Sequence, residues 1–260
     1  MASLKEMRNN PMYNNGIILS GNNKLLDYDN PETGEKVRYA QFNTLALICC
    51  PFASEGCKAV CYATKGNHIY PSVKHSRERS YMESRRADFA ESMVYTINAE
   101  KQSARYRNAT MLVRIHESGD FYSVQYLRKW VNVWKEYKAG NGVRFVFYTK
   151  SFPFFLMLTE EEKAIVNNAL HAGIVSMNMS VDDTTSPEQW RAYFDMRKAF
   201  PLANTYRCTE STEGIKADNV CDCSDCAKCG KCNKASGRET FVKIHSASKA
   251  DMEVYRNNSK

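Results

Sequence analysis

The sequence has no run approaching eighteen consecutive apolar residues, so it lacks the material for a membrane-spanning helix. Its opening stretch, Met1-Ala-Ser-Leu-Lys-Glu6, has no apolar segment of the kind that marks a secretory signal. The expected location is therefore the cytoplasm, with no membrane partner. Thiols stay reduced there, and closely spaced cysteines favour a metal over a disulfide. This bears directly on what the chain does have, which is ten cysteines in 260 residues. A chain of this length buries a proper core and does not need bridges to replace one. Its 43% apolar and 25% charged residues are ordinary for a globular protein.

The formal charge is +7. Part of it is concentrated in Lys74, His75, Arg77, Arg79, Arg85 and Arg86. Such a segment attracts phosphates, which keeps nucleic acid open as a partner. Interleaved Glu78, Glu83 and Asp88 fit equally well with a solvated helix face.

Residues 1–40 are polar, with turn signals at Asn15-Gly16 and Pro31-Glu-Thr-Gly34, and read as an N-terminal arm or hairpin. Residues 41–49 read as a strand running into cysteines. One helix is expected from Pro71 to about Ala104, its apolar stripe formed by Tyr81, Phe89, Met93 and Ile97. Strands then alternate with helices. The strands are Met111–His116, Val143–Thr149, Ile174–Ser180 and Ala203–Cys208, and the first intervening helix is Val124–Tyr137. Thr159 and Glu162 form a capping box for a helix over Glu160–Ala172, closed by Gly173. Ser186 and Pro187 open a further helix. Trp130 and Trp134 share one helix face and read as core. This order implies parallel strands joined by crossovers, and hence an α/β fold with a partial or distorted (β/α) barrel-like core. The core is expected over residues 41–207, with a cysteine-rich metal-binding segment over 208–260 packed on it. In such folds chemistry gathers where strand carboxyl ends meet the following loops.

The residues at those ends are chemically capable. Cys50, Cys57 and Cys61 follow the first expected strand, on one loop that can hold three irons of a cube and leave the fourth open. His116, Glu117, Ser118 and Asp120 follow the next. An imidazole beside carboxylates suits acid–base work, and Ser118 suits cofactor binding, although Ser, Gly and Asp also make ordinary turns. Lys150 follows the third strand and suits a phosphate or carboxylate. Asn178, Ser180 and Asp182 lie at the end of the fourth and suit a cofactor. Cys208 ends the fifth. The sharpest spacing is Cys226-x2-Cys229-x2-Cys232, which recurs in 4Fe–4S sites that a distant cysteine such as Cys208 completes. Zinc is the alternative, through Cys221-x-Cys223-x2-Cys226 with His245, which resembles the zinc motif of transglycosylases that exchange guanine in nucleic acid. S-adenosylmethionine at an open iron is an analogy only, because the cysteine spacing is looser than radical enzymes with that cofactor use. Cys49 reads as a thiol facing the core.

Taken in order, Cys-Pro-x5-Cys-x3-Cys-Tyr-Ala, Val-Arg-Ile-His-Glu-Ser-Gly-Asp-Phe, Tyr-Thr-Lys-Ser, Cys208 and Cys-x2-Cys-Gly-x-Cys resemble the bacteriophage gene product 88 family. Cys221 and Cys223 stand outside that pattern. The resemblance implies phage origin, an infected host cell as the setting, and shared cysteine sites rather than a defined activity. The expectation is an iron–sulfur protein, 4Fe–4S above other clusters, acting as a redox or radical-type enzyme on a small molecule or nucleotide. Two alternatives stand beside it: zinc-supported base exchange, and a non-catalytic metal-stabilised protein that binds nucleic acid or a host protein.

Overall fold

A computed structural model describes residues 17–20, 27–29, 34–216, 219–221, 231–244 and 247–258. Its centre is one seven-stranded sheet in the order β1 to β7. The strands are β1 (Tyr28–Asp29), β2 (Lys36–Phe42), β3 (Thr110–Ile115), β4 (Val143–Thr149), β5 (Val175–Asp182), β6 (Asn204–Thr209) and β7 (Glu239–Lys243). The short β1 pairs antiparallel with β2, and every later pair is parallel. The helices are α1 (Glu55–Ala59), α2 (Pro71–Ser84), α3 (Phe89–Lys101), α4 (Val124–Lys135), α5 (Phe152–Leu156), α6 (Glu160–His171), α7 (Pro187–Ala199) and α8 (Lys249–Asn258).

Sequence order equals spatial order, so the sheet has no point at which the winding reverses. Crossovers of one hand then place the crossover helices on one face. The packing agrees. Ala40 and Phe42, Met111, Val113 and Ile115, Phe145 and Phe147, and Met177, Met179 and Val181 share one core with the buried faces of α3, α4, α6 and α7. The alternate residues line the opposite, concave side of a curled half-barrel. There Val37, Tyr39, Leu112 and Val146 form a small apolar patch. The rest of that face is polar: Gln41, Arg114, Tyr148, Asn178, Ser180, Asn204 and Tyr206.

Several expected helix ends are as the sequence suggests. Thr159 and Glu162 bond reciprocally across the start of α6. Ser186 caps α7 by accepting from Gln189 N–H, and Pro187 is the first residue of that helix. Three expectations are revised. The first long strand ends at Phe42, and Leu47 and Ile48, 44% and 72% exposed, lie on a loop. The expected helix over 71–104 is two helices, interrupted between Ser84 and Phe89, where Arg86 turns back to pair with Asp88. The core takes in Ile17 as well as β2, both beginning inside the segment read as an arm.

Phe121 sits between sheet and helices with no exposed surface. Its ring meets His116, Tyr126, Trp134, Phe147 and Phe155. Such a site cannot close around a deletion. Phe121→Ala is expected to lower unfolding stability by about 3–5 kcal/mol, read from urea midpoints at constant slope.

Candidate functional site

Beyond Phe42, at the carboxyl ends of the parallel strands, the chain forms the loop that carries Cys49, Cys50, Cys57 and Cys61. Its first half is fastened to the turn after β3. Asn43 Oδ1 accepts from Glu117 N–H at 2.7 Å, and Thr44 N–H donates to Ser118 O at 2.9 Å. Ser118 Oγ donates to Thr44 O at 2.9 Å, and Asp120 N–H donates to Cys49 O at 2.9 Å. Gly119, with φ +85°, passes so close that a Cβ there would lie 2.0 Å from Thr44 Oγ1. The Glu117-Ser-Gly-Asp120 turn is thus a cradle for the cysteine loop, and Ser118 is one of its bolts.

The second half is fastened to β5. Ser54 caps α1 by accepting from Cys57 N–H at 3.2 Å, and its hydroxyl donates to Asp182 Oδ2 at 2.5 Å. The same carboxylate oxygen takes Lys150 Nζ at 2.7 Å. Asp182 Oδ1 accepts from Thr184 N–H and Oγ, and Thr184 Oγ1 in turn accepts from Gly56 N–H at 2.9 Å. Gln189 on α7 donates to Phe52 O. Tyr255 on α8 packs against Gly56, where no side chain would fit. One buried carboxylate therefore holds a lysine from β4 and the capping residue of the Cys57 helix together.

The charges follow from this packing. Burial opposes the charged form of Lys150, but Asp182 and then the Cys57 and Cys208 thiols beside it outweigh burial and hold its pKa above the ordinary lysine value. Burial would raise the Asp182 carboxyl, yet Lys150, Ser54 and Thr184 hold it below the usual range. Burial pushes the Cys57 thiol up, Lys150 counteracts this, and Asp182, Cys61 and Asp120 add to the rise. Cys50 is pushed up by burial, then by Asp120, with Cys57 and Cys61 contributing. The three thiols are thus within electrostatic reach of one another, at one mouth, with Asp120, Lys150 and Asp182. All three are free of disulfides and partly exposed. Cys49 is fully buried, as its expected core-facing position requires.

Other candidates fall elsewhere. His116, with φ +63°, turns into the aromatic core rather than the mouth. Its Nε2 meets Tyr126 Oη at 2.8 Å, its ring stands edge-on to Phe121, and burial drops its pKa to about 3. It packs among aromatic rings of the core, away from the mouth where the catalytic reading placed it. Burial raises the Asp120 carboxyl to about 6, against hydrogen bonds from Lys150 N–H, Thr149 Oγ and Phe121 N–H. Glu117 is placed electrostatically beside Arg77 and Arg114. Arg77, expected on the basic surface, is buried and donates to Ala63 O at 3.1 Å, so it supports the loop instead. The Ser180 carbonyl accepts from Lys150 Nζ at 3.3 Å.

Asn178 lies lower on the concave face. Its Nδ2 donates to Phe147 O at 3.1 Å and to Cys232 O at 3.0 Å, and Ser176 Oγ donates to the same Cys232 carbonyl at 2.6 Å. Cys208, by contrast, is the Cα partner of Asp182, four residues further along β5 than Asn178. That is about 13 Å of strand. Cys208 therefore belongs to the mouth, beside Lys150, and the Cys232 carbonyl to the opposite half of the sheet. Cys223, Cys226, Cys229 and His245 lie outside the described residues, while Cys221 is buried, its N–H on Phe241 O at 2.8 Å. Among the described residues no three His, Cys, Asp or Glu side chains group as a single metal ion requires.

The ordered run of cysteine loop, Ser-Gly-Asp cradle and Tyr-Thr-Lys strand end can now be compared with known proteins. A family model described as Gene product 88 matches residues 17–235. The chain belongs to the Gene product 88 family. The match spans the sheet from before β2 through β6 and takes in both the loop and its cradle. No curated protein and no solved structure matches. Among the described residues, no helix is long and apolar enough to cross a membrane.

Two outcomes follow from this geometry. Gly119→Ala adds strain at positive φ, about 1–2 kcal/mol, and forces a clash with Thr44 worth about 1–3 kcal/mol. The variant should unfold at lower urea, and a thiol reagent should label Cys50 and Cys57 faster than in the parent chain. His116 has a folded pKa below its unfolded value, so the unfolded state binds the extra proton between about pH 6.5 and 3. Its contribution to stability is full above that window and is lost as pH falls, at up to about 1.4 kcal/mol per pH unit. Asp120 works in the opposite sense. Its raised pKa favours the fold below about pH 4, and that contribution is lost as pH rises through about 6. His116→Gln should be less stable at neutral pH and should lose less stability on acidification than the parent chain, measured by urea melts from pH 7 to 4.

Proposed function

We propose that the mouth of the half-barrel holds an iron–sulfur cluster on Cys50, Cys57 and Cys61, and that the protein is a redox or radical-type enzyme acting on a small molecule or nucleotide in a phage-infected cell. The observation that carries this reading is the gathering of three free thiols from one loop over the carboxyl ends of a parallel sheet, each within electrostatic reach of the others. The donor set suits a cluster. Burial and neighbouring negative groups push the Cys50 and Cys57 thiols up, which makes them costly to ionise alone, and a bound cationic metal reverses that balance.

The chain's own residues have definite tasks in this reading. Ser54, Asp182 and Thr184 fix α1 and with it Cys57. Ser118, Gly119 and Asp120 fix the stretch that ends in Cys50. Lys150 brings a buried positive charge against Cys57 and Cys208, which offsets the negative charge of a thiolate-ligated cluster. Cys208 stands at the same mouth as a fourth thiol. When bound, the cluster supplies one-electron transfer, and any iron without a protein thiolate supplies a coordination position. The concave face below the mouth is lined by polar groups, and the Lys231–Asn233 turn packs on its lower half through the Cys232 carbonyl.

The test is a cysteine series purified without oxygen. Cys50→Ala, Cys57→Ala and Cys61→Ala should each lose most of the iron and the visible thiolate-to-iron absorption. Cys49→Ala should keep both. Iron retained in all three variants would remove this loop as the ligand set, and a colourless, zinc-loaded parent chain would favour zinc chemistry instead.

A further inference from the structure

The concave face also carries a set of donors that the cluster reading leaves unused. Gln41 and Arg114 are Cα partners on β2 and β3. Both lie on the concave side, since their neighbours Ala40, Phe42, Val113 and Ile115 face the helices. Gln41 is 1% exposed. Its Oε1 accepts from Asn43 Nδ2 at 3.0 Å, while its Nε2 is buried with no hydrogen-bond partner among the described residues. Arg114 Nε is likewise buried and unpartnered among the described residues. The guanidinium lies over Tyr148, with Cζ 5.0 Å from the ring centroid, and Tyr148 meets Tyr206 edge-on at 4.8 Å. Tyr62 reaches in from the cysteine loop and fixes its hydroxyl on Glu117 O.

Buried donors are normally paired, and a buried guanidinium normally has a carboxylate. Among the described residues, these two adjacent donors lack acceptors. The charge count there points the same way: Glu117 is the described carboxylate within electrostatic reach of both Arg77 and Arg114, so two guanidinium groups face one carboxylate and leave a positive charge over. An acceptor-rich anion would satisfy the donors and neutralise that charge, and a guanidinium fork suits phosphate and carboxylate alike.

We propose that Gln41 and Arg114, walled by Tyr148 and Tyr206, form a binding site for the oxyanion of a small ligand, a phosphate or a carboxylate, on the concave face of the half-barrel. The site does not depend on a metal at the mouth.

Calorimetric titration of the full chain tests this in two arms. Pyrophosphate and adenosine monophosphate probe for a phosphate, and succinate and citrate for a carboxylate. Saturable binding is expected in at least one arm, and the responding arm identifies the ligand chemistry. Arg114→Met should weaken that binding at least tenfold and Gln41→Leu several-fold. Without ligand, Arg114→Met should still unfold cooperatively in urea, so that weakened binding is read on a folded chain. Lack of saturable binding in both arms, or affinity unchanged in Arg114→Met, would overturn the proposal. If Arg114→Met does not fold, Arg114→Lys decides: it keeps the charge and loses the fork, so weakened binding supports the site and unchanged binding overturns it. Iron content measured on the same samples should not change with these substitutions, so failure of this site and failure of the cluster reading are separately visible.

Discussion

The arrangement of the mouth depends on the carboxylate of Asp182. It is buried at the end of β5 and accepts from Lys150 Nζ, the Ser54 hydroxyl, and the Thr184 N–H and hydroxyl. An isolated buried carboxylate would be expensive, and so would an isolated buried lysine. Each is tolerated because the other is present and the remaining lone pairs are taken up. The consequence is positional. Three separate segments, β4 through Lys150, β5 through Asp182 and the cysteine loop through Ser54, can meet in only one way. The Cys57 helix is only five residues long and could not hold its place by its own hydrogen bonds.

The second constraint is the close approach of Gly119 to Thr44. Together the two fastenings make the cysteine loop a rigid arch over the strand ends, with Cys50 near one foot and Cys57 near the other. The polar concave face lies below the thiols, while the aromatic core on the helix side supplies the stability. That division follows directly from a sheet whose strands never reverse their order.

Much of this was legible in the sequence. Strand–helix alternation from Met111 to Cys208 gives the parallel sheet, and the capping residues of α6 and α7 give their boundaries. The cysteine loop and the Ser-Gly-Asp turn are visible as motifs at strand ends. What escaped did so for physical reasons. The apolar run Leu45-Ala-Leu-Ile48 looks like strand but is held as a loop by its bonds to the β3 turn, whereas the true strand, Lys36-Val-Arg-Tyr-Ala-Gln-Phe42, hides its period of two behind charged residues at the sheet edge. His116 looks catalytic because imidazole beside carboxylates usually is. Its positive φ, which no local pattern announces, swings it into the core. The pairing of Gln41 with Arg114 joins residues more than seventy positions apart and depends on register alone.

The central claim is that the arch of Cys50, Cys57 and Cys61 carries iron and sulfide. Iron, acid-labile sulfide and zinc measured per chain on the anaerobically purified protein test it most directly. The account predicts about four iron and four sulfide for a 4Fe–4S centre, with little zinc. Stoichiometric zinc without sulfide, or a well-folded chain that holds no metal even after anaerobic reconstitution with iron and sulfide, would contradict it.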